Sequence, residues 1–268
     1  MIKFDKVTKA LGGKKILDEM SFEIEEGETF VILGPSGVGK SVTLKHMVRL
    51  LTPDSGDILI DGQSIVHADR EELIELRSHF GYLFQSGALL AWMNVHDNVA
   101  LPLVENTDLS AEEIDKRVSE ALTVVGLGKD GEKLPDSISG GMKKRAGLAR
   151  AIIQKPEIVL YDEPTSGLDP VIARSIDKLI DDLRKTLGVT SVVVTHDLHS
   201  ALGIGSRIAM INKGRIIELA EPDNFVNSEE PCVKAFLDAQ YITREGEWED
   251  EIEEENMTLL EEDETKPQ

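Results

Sequence analysis

Residues Gly34 to Ser41 read Gly-Pro-Ser-Gly-Val-Gly-Lys-Ser, which fits the spacing G-x-x-x-x-G-K-S. Glycines so placed let backbone N–H groups turn inward around phosphate oxygens, and a helix starting there adds the positive end of its dipole. Lys40 can reach the β- and γ-phosphates of a nucleotide, and the Ser41 hydroxyl can ligate Mg2+. The bland alternative is a Gly-rich turn between strand and helix. Context weighs against it: the apolar run Phe30-Val31-Ile32-Leu33 precedes the motif and a helical run, Ser41 to Leu51, follows.

A second constellation is Ile158-Val159-Leu160-Tyr161-Asp162-Glu163. A buried strand ending in two carboxylates puts both at the C-terminal edge of a parallel sheet, where ligands bind. Asp162 is expected to hold Mg2+ through its water shell, and Glu163 to polarise an attacking water as general base. Alone this is weak, because any strand leaving a core meets charged residues; the phosphate loop upstream makes it persuasive. A third, Ser137-Ile138-Ser139-Gly140-Gly141-Met142, places Ser-Gly-Gly at a helix start. By itself that reads as a simple N-cap, with a second anion-binding nest as the sharper alternative.

The third motif is what makes the chain resemble the ABC ATPase family, whose signature is L-S-G-G-Q. The family's other motifs follow in order: Gln85 after Phe84, Ser166-Gly167-Leu168-Asp169, and His196 after Thr195. The resemblance covers residues 1 to about 225. It implies ATP and Mg2+ as cofactors, with Gly34, Pro35, Ser36, Gly37, Val38, Gly39, Lys40, Ser41 and Val42 around the nucleotide, and Ser41, Gln85 and Asp162 around the metal. Ser139, Gly140 and Gly141 would contact the γ-phosphate bound by the other protomer, so each site is built across a dimer interface. Glu163, His196 and Gln85 would be the catalytic set, His196 holding the γ-phosphate and Gln85 linking the site to the partner. Two departures stand out. Met142 replaces the signature glutamine, and Leu11 stands where many relatives place an aromatic to stack on adenine.

These motifs need a scaffold. Short β-branched runs alternating with helical patterns, including Ser191-Val192-Val193-Val194, predict a parallel α/β sheet of the RecA-like P-loop NTPase kind. Two segments read as antiparallel hairpins: Asp57 to Ile60 before Asp61-Gly62, and Arg207 to Ile211 before Asn212-Lys213-Gly214. From Leu89 to Ile153 strand signals vanish. Ser110-Ala111-Glu112-Glu113 reads as a capping box for a helix to Val125, and Ser139 opens a helical run to Ile153. The expected division is an ATPase domain over 1–236, with its core at about 1–87 and 154–226, a helical subdomain inserted at about 88–153, and an acidic tail over 237–268.

Composition narrows the class. The chain has 268 residues, 41% hydrophobic and 29% charged, as in soluble globular proteins, and the low aromatic content of 4% leaves the core to aliphatic residues. No stretch approaches the roughly 20 apolar residues that span a bilayer, and the start lacks a signal peptide's apolar region, so action from the cytosolic side is expected. The single cysteine, Cys232, permits no internal disulfide and reads as a small apolar residue near a helix start. Net charge is −21, with twelve acidic and no basic residues between Glu245 and Glu264. Such a surface repels phosphate backbones and anionic lipid headgroups, which argues against tight direct binding to either and against nucleic acid as a partner. The tail's simplest reading is a disordered, solubilising extension. The sharper expectation is that Trp248, Ile252 and Leu259-Leu260 share one helical face that docks on the neighbouring protomer or a partner subunit.

Three machines could use these motifs. The Ser-Gly-Gly signature disfavours a generic P-loop kinase or GTPase. Only about a hundred residues without sustained heptads separate phosphate loop and signature, which disfavours DNA-repair relatives, and a single ATPase unit disfavours ribosome-acting ones. A transporter subunit with its permease on another chain remains. Gln85-Ser86-Gly87-Ala88-Leu89-Leu90, Met93-Asn94-Val95 and Asp97 to Leu103, together with Met142, resemble the Mla/Mce-type lipid transport ATPases. That resemblance implies a homodimer on the cytoplasmic face of the inner membrane, an integral-membrane permease, MCE-domain lipid-binding and STAS-like subunits, and phospholipid cargo. Amino-acid importers are the runner-up. The apolar cluster of Leu89, Leu90, Trp92 and Met93 is expected to supply part of the permease contact, with packing inside the helical subdomain as the alternative for any one of them.

Overall fold

The computed structural model describes residues 1–240, so the expected apolar face of the tail lies outside the described residues. Two sheets organise them. The first is antiparallel: β1 (Ile2–Leu11), β2 (Lys14–Ile24), β4 (Ser55–Ile60) and β5 (Gln63–Ser64), in the order β2-β1-β4-β5. The second contains β3 (Thr29–Leu33), β6 (Phe80–Leu83), β7 (Ile158–Asp162), β8 (Thr190–Thr195), β9 (Arg207–Asn212) and β10 (Arg215–Ala220), in the order β10-β9-β3-β8-β7-β6. It is parallel from β9 to β6, and β10 closes one edge antiparallel to β9.

The expected hairpins form at β4–β5, around Asp61-Gly62, and at β9–β10. β9 is only half of an antiparallel pair, however, because its other edge runs parallel to β3. Its apolar run Ile208 to Ile211 is buried, as an interior strand requires.

β3, β7 and β8 are buried along their whole length. Side chains alternate across a strand, so Phe30 and Ile32 face one core while Val31 and Leu33 face the other. The first core lies against the antiparallel sheet, where Phe4 stacks on Phe22 at 4.4 Å and Phe22 on Phe30 at 5.4 Å. The second lies under the helices.

Nine α-helices and one 3-10 turn (Pro135–Ser137) complete the described residues: α1 (Lys40–Met47), α2 (Arg70–Ser78), α3 (Val95–Asn106), α4 (Ala111–Val124), α5 (Gly140–Ile152), α6 (Pro170–Leu187), α7 (Leu198–Ile204), α8 (Pro222–Phe225) and α9 (Pro231–Ala239). Ser110 and Glu113 form the expected capping box of α4, and Ser139 caps α5. α1 ends four residues before the expected Leu51. Arg49 takes the left-handed conformation (φ 49°) and the Leu50 N–H donates to the Lys45 carbonyl, a terminating motif that usually advertises itself with glycine. α9 runs past position 236 to Ala239, with Leu237 buried and Cys232 half-buried near its start.

What this architecture gives the site is a shared edge. Leu33 pairs with Thr195, and Asp162 with Val194. The residues that follow β3, β7 and β8, namely Gly34, Glu163 and His196, therefore leave three adjacent strands at the same end of the sheet.

Candidate functional site

The phosphate loop is shaped by close backbone approach. A Cβ on Gly34 would meet the Ile211 carbonyl at 2.7 Å. Gly39, at φ 112°, caps α1 where a Cβ would sit 3.0 Å from the Ile16 side chain. Lys40 opens the helix and is 5% exposed. Its ammonium donates to the carbonyls of Gly34 (2.7 Å) and Pro35 (3.0 Å) and lies 3.2 Å from Glu163 Oε1. A buried cation is tolerable only with partners of this kind. The Ser41 hydroxyl donates to Asp162 Oδ1 at 2.6 Å, bringing together two sequence-predicted metal groups that are 121 residues apart.

Asp162 and Glu163 are both buried. The Tyr82 hydroxyl donates to Asp162 Oδ2 at 3.4 Å, and burial followed by the carboxylate's charge pushes its ionisation well above the usual range. Tyr82 therefore stays a neutral donor. Glu163 Oε2 lies 2.8 Å from His196 Nδ1, so the carboxylate stands between Lys40 and the histidine. Glu163 itself is left-handed, with φ 48°. Its carbonyl accepts from the ammonium of Lys144, 2.7 Å away on α5. Lys144 is a buried site residue that the sequence reading passes over, and burial drives its pKa down to about 8 against the pull of Glu163 and Asp162. Its signal in the sequence is phase: 144, 148 and 152 share a helix face, and Leu148 and Ile152 are core.

Of these groups Lys40, Ser41 and Glu163 reach the wall of a cleft of about 350 Å³, which Leu11, Ile16, Ser36, Gly37, Gly39, Val42 and Gln85 complete; Asp162, Tyr82, His196 and Lys144 are not part of that wall. Gln85 is exposed at its rim, in the loop after β6. The cleft fits a nucleotide: loop backbone and Lys40 for the phosphates, and Ser41 beside Asp162 for a divalent cation. Apolar Leu11 and Ile16 supply no aromatic face for a base. A larger groove of about 530 Å³ between α4, α5 and α6 holds none of these groups.

The signature triplet is elsewhere. Ser139, Gly140 and Gly141 are not in the cleft wall. Ser139 and Gly140 are exposed, and the Ser139 hydroxyl accepts from the Met142 N–H at 3.3 Å. Their neighbours are Leu168, in the loop before α6, and Ile172 on it. Asp169 caps α6 through the N–H groups of Val171 and Ile172. Behind His196 lies a polar cluster without a forewarning motif. Arg174 pairs with Asp177 (3.0 Å) and with Asp197, and the Ser200 hydroxyl donates to Asp177 at 3.0 Å and faces Thr165 at 3.4 Å. Burial raises the Asp177 pKa to about 6 despite the neighbouring Arg174 and the Ser200 hydrogen bond.

A phosphate loop between β3 and α1, with two carboxylates at the end of β7, defines a P-loop ATPase. More narrowly, the chain belongs to the ABC transporter family, whose model matches residues 17–166, and it is an ATPase that binds ATP with Mg2+. It is 44% identical to a probable ribonucleotide transport ATP-binding protein, Mkl, of Mycobacterium leprae, over 88% of this chain and 68% of that one. It is 39% identical to a methionine import ATP-binding protein, MetN 2, of Pseudomonas entomophila (94% and 77%) and to the intermembrane phospholipid transport ATP-binding protein MlaF of Escherichia coli K12 (85% and 84%). Among solved structures, an ATP-binding cassette dimer in a post-hydrolysis state with ADP and Pi superposes with a TM-score of 0.76 at 34% identity, covering 83% of this chain and 99% of that one. Cassettes of this family dimerise and pair with membrane permease subunits. No helix among the described residues is long and apolar enough to cross a membrane.

Proposed function

We propose that this chain is the motor of a phospholipid transporter at the cytoplasmic face of the inner membrane, two copies closing on two ATP molecules and driving a separate permease. In this reading the body of the protein is the ATPase domain over 1–236, with the helices of 88–153 as its inserted subdomain. When bound, ATP with Mg2+ supplies the transferable γ-phosphoryl group and the metal charge that offsets its anionic oxygens. Lys40 and the backbone of 34–42 hold the phosphates, and Ser41, Asp162 and Gln85 hold the cation. Glu163, fixed between Lys40 and His196, takes the proton of the attacking water on its carboxylate, and His196 steadies the γ-phosphate. Ser139, Gly140 and Gly141 of the second copy close the site from the other side. ATP binds the closed pair better than the open one, and that differential affinity moves the permease.

The observation that carries the cargo assignment is the stretch from Gln85 to Leu103, joined to Met142 in the signature, which together resemble the lipid-transport branch. The similarity to MlaF over 84% of that protein supports it. MCE-domain and STAS-like subunits belong to the same reading. Trp92, at 76% exposed, is the member of the apolar cluster freest to meet a permease, whereas Leu89 packs on the helical core.

The test is purification of the complex from its own cells. Phospholipid bound to the copurifying membrane proteins, and a folded, ATP-binding Trp92→Glu variant that loses those proteins, are the expected results. Bound amino acid or nucleotide in place of lipid would overturn the cargo assignment. Unchanged copurification of the variant would overturn the contact.

A further inference from the structure

α5 touches the chemistry twice besides carrying Ser139 at its start. One turn in, Lys144 is 5% exposed and donates to the Glu163 carbonyl at 2.7 Å. Near its end, the Arg150 guanidinium donates to the carbonyls of Gly87 (2.7 Å) and Ala88 (2.8 Å), in the loop that begins with Gln85. Between them a Cβ on Gly147 would lie 3.0 Å from the Gly87 carbonyl, so helix and loop are in close contact.

Glu163 is in an unusual state at the Lys144 contact. Its φ of 48° is a conformation that side chains with a Cβ adopt at a cost, and one that persists only where the surroundings over-determine it. Three hydrogen bonds do so. The Glu163 N–H donates to the Val194 carbonyl (3.0 Å), and the Glu163 carbonyl accepts from the Ser166 N–H (3.2 Å) and from Lys144. The first two lie within the strand edge and its own turn; only Lys144 comes from the helical segment. A lysine in phase with Leu148 and Ile152 is also a costly choice, since an apolar residue would fill that position without burying a charge.

We propose that Lys144 is a positioning residue for hydrolysis: its buried ammonium holds the Glu163 backbone in the left-handed conformation that aims the carboxylate between Lys40 and His196, tying α5 to the reacting end of the site. This rests on the reading of Glu163 as general base. Displacement of α5, which also grips the Gln85 loop, then moves the Glu163 turn directly.

The test is steady-state ATPase kinetics and ATP binding on the full-length protein. Lys144→Met keeps the stem and removes the donor. It is expected to lower kcat about 10- to 100-fold with the ATP dissociation constant and KM nearly unchanged, the scale of a misplaced catalytic group. Lys144→Gln, a shorter donor that is neutral and easier to bury, should show the same split to a lesser degree. Lys144→Arg should recover activity to within about threefold of the parent. In a Glu163→Gln background, Lys144→Met should cost no more than about twofold further in single-turnover hydrolysis, because the group it positions is gone. Parental kcat in both Met and Gln variants, or an undiminished loss in the Glu163→Gln background, would overturn the inference. Parental turnover by Glu163→Gln alone would instead overturn the general-base assignment, so the two failures are separable.

Discussion

The phosphate loop and the signature triplet are both glycine-rich, and both open a helix, yet the fold treats them in opposite ways. The loop is pressed into its own chain: Gly34 abuts Ile211, Gly39 abuts Ile16, and Lys40 is buried with three partners. The triplet faces outward, its serine spent on the first turn of its own helix and its neighbours a loop leucine and an isoleucine of α6. The caps differ, a left-handed Gly39 without a side-chain bond and an extended Ser139 with one, but the shared element, N–H groups at a helix start, is finished by the chain's own core in one case and left open in the other. In the proposed function this open helix start meets the nucleotide of the second copy.

Several substitutions break or sharpen this contrast. The largest effect belongs to the self-contained half. Glu163→Gln should keep ATP binding, slow turnover roughly 10²- to 10⁴-fold, and leave a dimer that persists in ATP. Rapid hydrolysis, measured as phosphate release, would remove Glu163 from its role. In the outward half, Met142→Gln should change ATPase activity by no more than a few-fold. The capping bond uses the Met142 backbone N–H, while its side chain packs on the helical core. A loss comparable to that of Glu163→Gln would give the Met142 side chain a part of its own.

The smallest effect concerns Asp177, behind His196. Its folded pKa, about 6, lies above the ordinary 3.8, so the carboxyl contributes stability below that lower value which is lost as pH rises through about 6. Asp177→Asn lacks this dependence. Its melting temperature should gain on the parent by about 2–4 °C between pH 5 and pH 7.5 in thermal unfolding. Parallel curves would mean that Asp177 does not titrate there.

Legibility followed burial. β3, β7 and β8 are buried on both faces, so they appear in the sequence as continuous apolar runs, and the carboxylates and histidine at their ends could be read with them. β1 and β2 were not legible: their ladder has repeated register shifts, and lysines fall among the apolar residues. The sequence reading also places no element over 170–187, although α6 has Asp169 as its cap, Pro170 at its first position and Gly188 left-handed at its end. Its buried side, Ala173, Ile176, Leu179, Ile180 and Leu183, has helical spacing. Lys144 hid for a different reason. In Lys143-Lys144-Arg145 it looks like part of a solvated face, and only the phase of α5 shows that one of the three points inward.

The central claim, that a complete site takes its phosphate loop from one copy and its signature from another, is tested most directly by mixing two inactive variants. Lys40→Ala removes the loop's cation, and Ser139→Arg blocks the outward nest. Each alone should form dimers without ATPase activity, since every pair then has a defect in both sites. In a mixed pair, the intact loop of the Ser139→Arg copy faces the intact signature of the Lys40→Ala copy. An equal mixture should therefore regain about a quarter of the parent rate, for random exchange between copies in a two-fold dimer and independent turnover at each site. Verified mixed dimers with no regained activity at any ratio, or full activity in Ser139→Arg alone, would contradict a site shared between two chains.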